Sequence, residues 1–192
     1  MKFIGTILCA TCALASAVDV ARIPGFERLG DFAKTAGHGK PAAAQALLQV
    51  RRVTRSLTET NEAFDKETFA TDSDRLAKTI KTSTEIVQDP ASYSNTQRSG
   101  LLGPTIGIEI EFSILRTKLD GMKTDIEKNG SCQLVRETLD TIASRLSNLA
   151  EAINAMVQGD VMALQTSVLL RLLEKIKQDF AAEHCKDSSE KA

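Results

Sequence analysis

The chain predicts an all-α fold, a five-helix antiparallel bundle whose C-terminal helical hairpin is closed by a disulfide. Three observations predict it. Ala, Leu, Ile, Lys and Glu are plentiful from residue 41 onward, a helix-forming composition. Val135, Leu139, Ile142, Leu146, Leu149, Ile153 and Met156 alternate four and three residues apart, which lines them along one helical face. Cys132 and Cys185 lie equally far from the Gln158-Gly159 junction, so an antiparallel hairpin turning there brings them side by side. Closing so long a loop contributes about 4 kcal/mol in the chain-entropy account.

Taken in order, residues 1–17 have the form of a secretory signal peptide. Lys2 precedes a short apolar run, and Ala15-Ser16-Ala17 offers the small residues of a cleavage site after Ala17. That apolar run is too short to span a bilayer. Cys9 and Cys12 leave with the peptide, so Cys132 and Cys185 remain as an even pair in an oxidising compartment. Residues 18–52 form a disordered or pro-segment: Val18–Lys40 is rich in glycine, and Arg51-Arg52 is a candidate dibasic processing site cut after Arg52. The helical-bundle domain then spans 53–192. If uncut, the first bundle helix runs from about Ala43 to Lys66, with Val50, Val53, Leu57 and Phe64 on one face and Asn61 breaking the stripe.

Thr71-Asp72-Ser73-Asp74 is a run of N-cap residues before a second helix, Asp74 to Gln88, which Asp89-Pro90 ends. A polar connection follows, with a short helical turn from Asn95. Ile106, Ile108, Ile110 and Phe112 alternate as in a strand, yet Ile108, Phe112, Leu115, Leu119, Met122 and Ile126 make a longer helical stripe, and Ile106, Ile110 and Ile114 make a second. The longer pattern predicts a third helix from Pro104 to Lys128, ended by Asn129-Gly130. Asn129-Gly130-Ser131 is also an N-glycosylation sequon. The hairpin completes the chain, with Gly159 fit for a C′ position and Asp160 for the next N-cap. Its second helix carries Leu164, Val168 and Leu172 on one line and Leu169, Leu173, Ile176 and Phe180 on another.

The composition excludes several functions. The formal net charge is −1, and from Val53 onward acidic side chains outnumber basic ones, which argues against nucleic acid as a partner. With no Trp and one Tyr, platforms for stacking bases or sugars are poorly supplied. His38 and His184 lie far apart, and no metal-ligand spacing, phosphate loop or nucleophile elbow is present. Glu109 and Glu111 fall on different sides of a helix, giving no paired-carboxylate geometry, and both are expected to be solvated. No cofactor, metal or transmembrane segment is expected, and the chain is not expected to be an enzyme.

The third helix and the last one carry more apolar positions than one narrow seam needs. The candidate ligand-lining residues are therefore Ile106, Ile110, Ile114, Leu115, Leu119, Leu139, Ile142, Leu146, Leu169, Leu172, Leu173 and Ile176. Between bundle helices they would hold a fatty acid or other apolar ligand, or meet a hydrophobic surface. The alternative is an effector or enzyme inhibitor that presents a bundle face to a partner.

The order Gly100-Leu-Leu-Gly-Pro104, a long apolar helix ending Leu119-Asp-Gly-Met-Lys-Thr-Asp125, and the Leu134–Phe180 hairpin resembles the fungal hydrophobic-surface-binding protein and cell-wall mannoprotein family. The likeness covers roughly Val50 to Phe180. It implies a secreted, extracellular or wall-associated all-α bundle that binds hydrophobic surfaces or fatty acids. The chain departs from that pattern in its dibasic segment, its high charge, its cysteine pair and its lack of a Ser/Thr-rich tail.

Overall fold

A computed structural model describes residues 42–59, 63–92, 100–157 and 159–188. The signal peptide with Ala17, the segment 18–40, Asn61 and the turn expected at Asn95 lie outside the described residues. The elements are α1 (Ala42–Glu59), α2 (Lys66–Gln88), a 3-10 turn (Pro90–Ser92), α3 (Leu102–Gly121), α4 (Lys123–Lys128), α5 (Cys132–Met156) and α6 (Asp160–Asp179). The described residues contain no strand, so the alternation at Ile106–Phe112 yields to the longer helical stripe.

The five long helices close a ring. α1 packs on α2 and α3, α2 on α5, α5 on α6, and α6 back on α3. The hairpins α1–α2 and α5–α6 are antiparallel. Ser83 Oγ of α2 donates to the Ala46 carbonyl near the start of α1. Thr166 Oγ1 donates to Asn154, and Lys177 pairs with Asp140. Five helices in a ring cannot alternate throughout, and here α3 runs parallel to both of its neighbours, α1 and α6. Arg51 of α1 meets Glu111 of α3, and further along both helices Thr58 meets Lys118. Likewise Glu109 and Arg116 of α3 meet Gln165 and Asp179 of α6. The starts of α1, α3 and α6 therefore share one end of the bundle, called the upper end below.

All seven residues of the α5 stripe are buried, and they join Leu47, Val53, Leu76, Ile80, Phe112, Leu173 and Phe180 in one continuous core. Cys132 and Cys185 are bonded as expected, with Cα atoms 5.6 Å apart. The bond ties the lower end of α5 to the segment after α6. Asp187 Oδ1 accepts from the Cys132 amide at 3.0 Å, completing the start of α5 from that same segment.

Several boundaries differ from expectation. α1 ends at Glu59 rather than near Lys66, which opens the next helix instead. α2 begins at Lys66, eight residues before Asp74. Asp65 Oδ1 accepts from the Thr68 amide at 2.7 Å and caps the helix there. Hydrogen bonding to the Thr68 hydroxyl, and then to its amide, holds the Asp65 carboxyl below its ordinary range. Thr71–Asp74 thus become interior helix residues, and Ser73 is left buried without a hydrogen-bond partner. The third predicted helix is two. α3 tightens at its end, where the Met122 amide donates to both Lys118 and Leu119, and α4 restarts at Lys123. α4 stops as expected at Asn129-Gly130: Gly130 has φ of 62°, and Ser131 N donates to Ile126 O at 3.0 Å. Gly159 stands at the N-cap of α6 with φ of 174°, so Asp160 is its first helical residue.

Residues 42–52 lie before the expected domain start at Val53, yet Ala43, Leu47 and Val50 are fully buried. α1 runs unbroken through Arg51-Arg52, with Arg52 exposed.

Candidate functional site

α3 faces two neighbours with two different chemistries. Toward α1, Glu111 is 1% exposed and accepts from Arg51 Nε at 3.1 Å and from Arg55 Nη2 at 2.6 Å. Both arginines reach it from α1, and its hydrogen bond, then its charge, hold the Arg55 guanidinium above its usual range. Gly107 makes room for this. A Cβ there would lie 2.8 Å from Arg51 Cδ. The expectation of two solvated glutamates is corrected for Glu111: its partners come from a helix some sixty residues earlier, which α3's own spacing does not reveal.

Toward α6, the upper contact is the hydrogen bond from Gln165 Nε2 to Glu109 Oε2. The lower end is tied several times. Arg116 Nε donates to Asp179 Oδ2 at 2.8 Å, and Lys123 Nζ donates to the Asp179 carbonyl at 2.9 Å. Lys123 also sits over the Phe180 ring, and Arg136 of α5 donates to the Phe180 carbonyl at 3.1 Å.

The candidate lining residues divide between the interior and this seam. Leu115, Leu119, Leu139, Ile142, Leu146, Leu169, Leu173 and Ile176 are buried in the core, and Leu172 is half-buried against it. Ile106, Ile110 and Ile114 are 38%, 50% and 47% exposed. Val161 and Leu164 at the start of α6 are 66% and 61% exposed. These five are the large exposed apolar side chains among the described residues. Ile106 precedes Glu109 by three residues and Val161 precedes Gln165 by four. In parallel helices joined by that hydrogen bond they stand at one level. The upper seam is thus flanked by apolar side chains on both helices, an arrangement that marks contact surfaces.

The bundle matches solved ligand-binding domains. One is ligand binding domain 2 of the Penicillium marneffei MP1 protein complexed with multiple arachidonic acids. It matches with a TM-score of 0.63 and 17% identity over 73% of this chain and 95% of that one. A second structure of that domain, in complex with arachidonic acids, matches with a TM-score of 0.66 and 17% identity over 77% and 98%. Ligand binding domain 1 of the same protein, complexed with arachidonic acids, matches with a TM-score of 0.64 and 15% identity over 72% and 94%. At these identities the likeness establishes the fold. No protein-family model matches the chain, and no curated protein matches it by sequence.

One feature went unnoticed in the sequence. An open groove of about 1150 Å³ runs along the outer side of the α2–α5 seam. Thr84, Val87, Ala152 and Met156 are among its lining residues, with Lys81, Glu85, Arg145 and Glu151 around them. No candidate lining residue belongs to it. Alternating small and charged residues on two distant helices give no signal until those helices are known to be neighbours. Among the described residues no cluster of His, Cys, Asp or Glu is arranged to hold a metal, and no helix is long and apolar enough to cross a membrane. Asn129 of the sequon is exposed, and its side-chain amide donates to the Phe64 carbonyl at 3.5 Å.

Proposed function

We propose that this chain is a non-catalytic carrier or scavenger of fatty-acyl lipids that acts outside the cell. The observation that carries the reading is the match in fold, over nearly the whole of each matched domain, to structures in complex with arachidonic acids. The chain's own chemistry supports it. The interior is built of Leu, Ile, Val and Met, and burying an acyl chain there is worth about 0.8 kcal/mol per methylene. The leader-like residues 1–17 and the paired cysteines support export, and the resemblance to mannoproteins extends the proposal to the cell wall. On that path Asn129 would carry a glycan.

The candidate lining residues in the core already pack against one another, so a bound chain takes space by spreading the helices. Leu115, Leu119, Leu169, Leu173 and Ile176, on the facing sides of α3 and α6, are the residues it would lie against. The exposed row of Ile106, Ile110 and Ile114 favours a second reading, in which the same face rests on a hydrophobic surface.

Native mass spectrometry of protein from a eukaryotic secretory host tests the first reading. A bound long-chain fatty acid is expected, as is saturable binding of cis-parinaric acid by protein stripped of lipid. Leu173→Phe, which adds volume where the chain would lie, should weaken parinaric acid binding by roughly tenfold while the helical circular dichroism holds. A ligand-free mass together with no parinaric acid binding would overturn the proposal.

A further inference from the structure

We propose that the bundle admits an acyl chain by parting α3 from α6 at the upper end, with the Glu109–Gln165 hydrogen bond as the latch. The inference rests on the fatty-acyl binding proposed above and says where and how that ligand enters.

A ring of five helices has five seams through which a long chain could pass, and three of them are tied above the lower end by side chains or by the chain itself. α1 and α2 are joined there by the bond from Ser83 to the Ala46 carbonyl. α5 and α6 follow one another in the chain there, Met156 and Asp160 being their facing ends, and below it they are joined by Thr166 with Asn154, Lys177 with Asp140 and the disulfide. α1 and α3 are joined by Glu111, buried between two arginines. α2 and α5 pack broadly against each other. The α3–α6 seam is different. No chain link joins α3 directly to α6, and the strong ties across the seam, from Arg116 and Lys123 to Asp179, lie at the lower end. Above them the described residues place one polar contact across it, between Glu109 and Gln165. Parting the seam at the top turns α6 and its covalently tied partner α5 about a fixed lower end, with α5 sliding on α2, across which the described residues place no side-chain hydrogen bond or ion pair.

Two further observations point to the same end. Neither α3 nor α6 has a side-chain hydrogen bond capping its start: Leu101 and Gly159 hold the N-cap positions. Uncapped first turns open at the least cost. The large exposed apolar side chains also gather here. Ile106 and Ile110 stand on one side of the seam and Val161 and Leu164 on the other. An acyl chain arriving from a lipid surface meets these four first. Half-buried Leu172 and then buried Leu169 and Leu173 continue the apolar path inward.

The experiment measures uptake of cis-parinaric acid by stopped-flow fluorescence in the full chain. Glu109→Cys and Gln165→Cys are combined and bridged with a short bis-maleimide. The native cysteines are bonded to each other and 1% exposed, so they do not react. Asp140→Cys with Lys177→Cys, bridged across α5 and α6, is the control. Bridging 109 to 165 should slow uptake by roughly tenfold or more relative to the same variant unbridged, as expected for a gated step. Bridging 140 to 177 should leave the rate unchanged. Gln165→Ala, which removes the latch without a cross-link, should speed uptake. Equal rates in bridged and unbridged 109/165 protein that still binds would overturn the gate and leave the binding proposal standing. Absence of uptake in every form, the unaltered chain included, would overturn the binding proposal and the gate with it.

Discussion

Glu109 and Glu111 stand two residues apart on one helix and do opposite things. Glu111 is buried and grips two arginines of α1, whereas Glu109 is half-buried and touches one neutral amide of α6. A buried carboxylate in a low-dielectric seam cannot lose its partners cheaply, because the desolvated charge would be left unpaired. A carboxylate at the edge exchanges an amide for water at little cost. The same sequence neighbourhood therefore supplies one joint built to stay shut and one able to open. The contrast, more than the apolar content of the core, is what makes entry of a ligand physically reasonable in a packed bundle.

The largest expected effect comes from cutting through the permanent joint. A chain that begins at Val53 loses six buried apolar side chains, Leu47 and Val50 the largest of them, and with Arg51 half of the clamp. At about 1.5–3 kcal/mol for each large apolar side chain, the loss rivals the roughly 5–15 kcal/mol that holds a domain folded. Such a chain should show no cooperative thermal transition, while one beginning at Lys40 should. Cooperative folding of the shorter chain would show that the upper half of α1 is dispensable.

Removing the disulfide with Cys132→Ser and Cys185→Ser should cost about 4 kcal/mol, read as a lower midpoint in guanidinium. It should also loosen the lower end, about which the seam is proposed to turn. Arg51→Ala with Arg55→Ala leaves Glu111 buried and alone. A loss of about 3 kcal/mol is expected at neutral pH, and Glu111→Leu, which removes the stranded charge, should recover much of it. If the double arginine variant costs less than about 1 kcal/mol, the two joints do not differ as described. The smallest effect belongs to the latch: Glu109→Gln should change stability by under about 0.5 kcal/mol.

Much of this architecture was legible in the sequence where one helix supplied its own evidence. The Val135–Met156 stripe is buried residue for residue, and the symmetric cysteines found each other. Legibility failed where a residue's meaning depends on another helix. α3 displayed two apolar stripes, and periodicity alone cannot say that the Ile108 stripe is core while Ile106, Ile110 and Ile114 look outward. Glu111 read as solvated because its partners, Arg51 and Arg55, lie on another helix, and Arg51 was itself read as part of a removable segment. The start of α2 was misplaced because the four capping residues at Thr71–Asp74 drew the boundary, while Asp65, which caps the helix, was placed inside the first helix. For the candidate site, the sequence singled out α3 and α6 by their surplus apolar positions and gave no sign of the Glu109–Gln165 hydrogen bond between them.

The most direct measurement is the distance across the upper seam with and without ligand. Spin labels on Ile110→Cys and Leu164→Cys, both at exposed positions, report on α3 against α6. Labels on Arg52→Cys and Ser113→Cys, also exposed, report on α1 against α3. On adding oleic acid, the first pair should move to longer and broader distances by double electron–electron resonance while the second pair stays fixed. Unchanged distances for both pairs, in protein shown by native mass spectrometry to hold the fatty acid, would contradict the account.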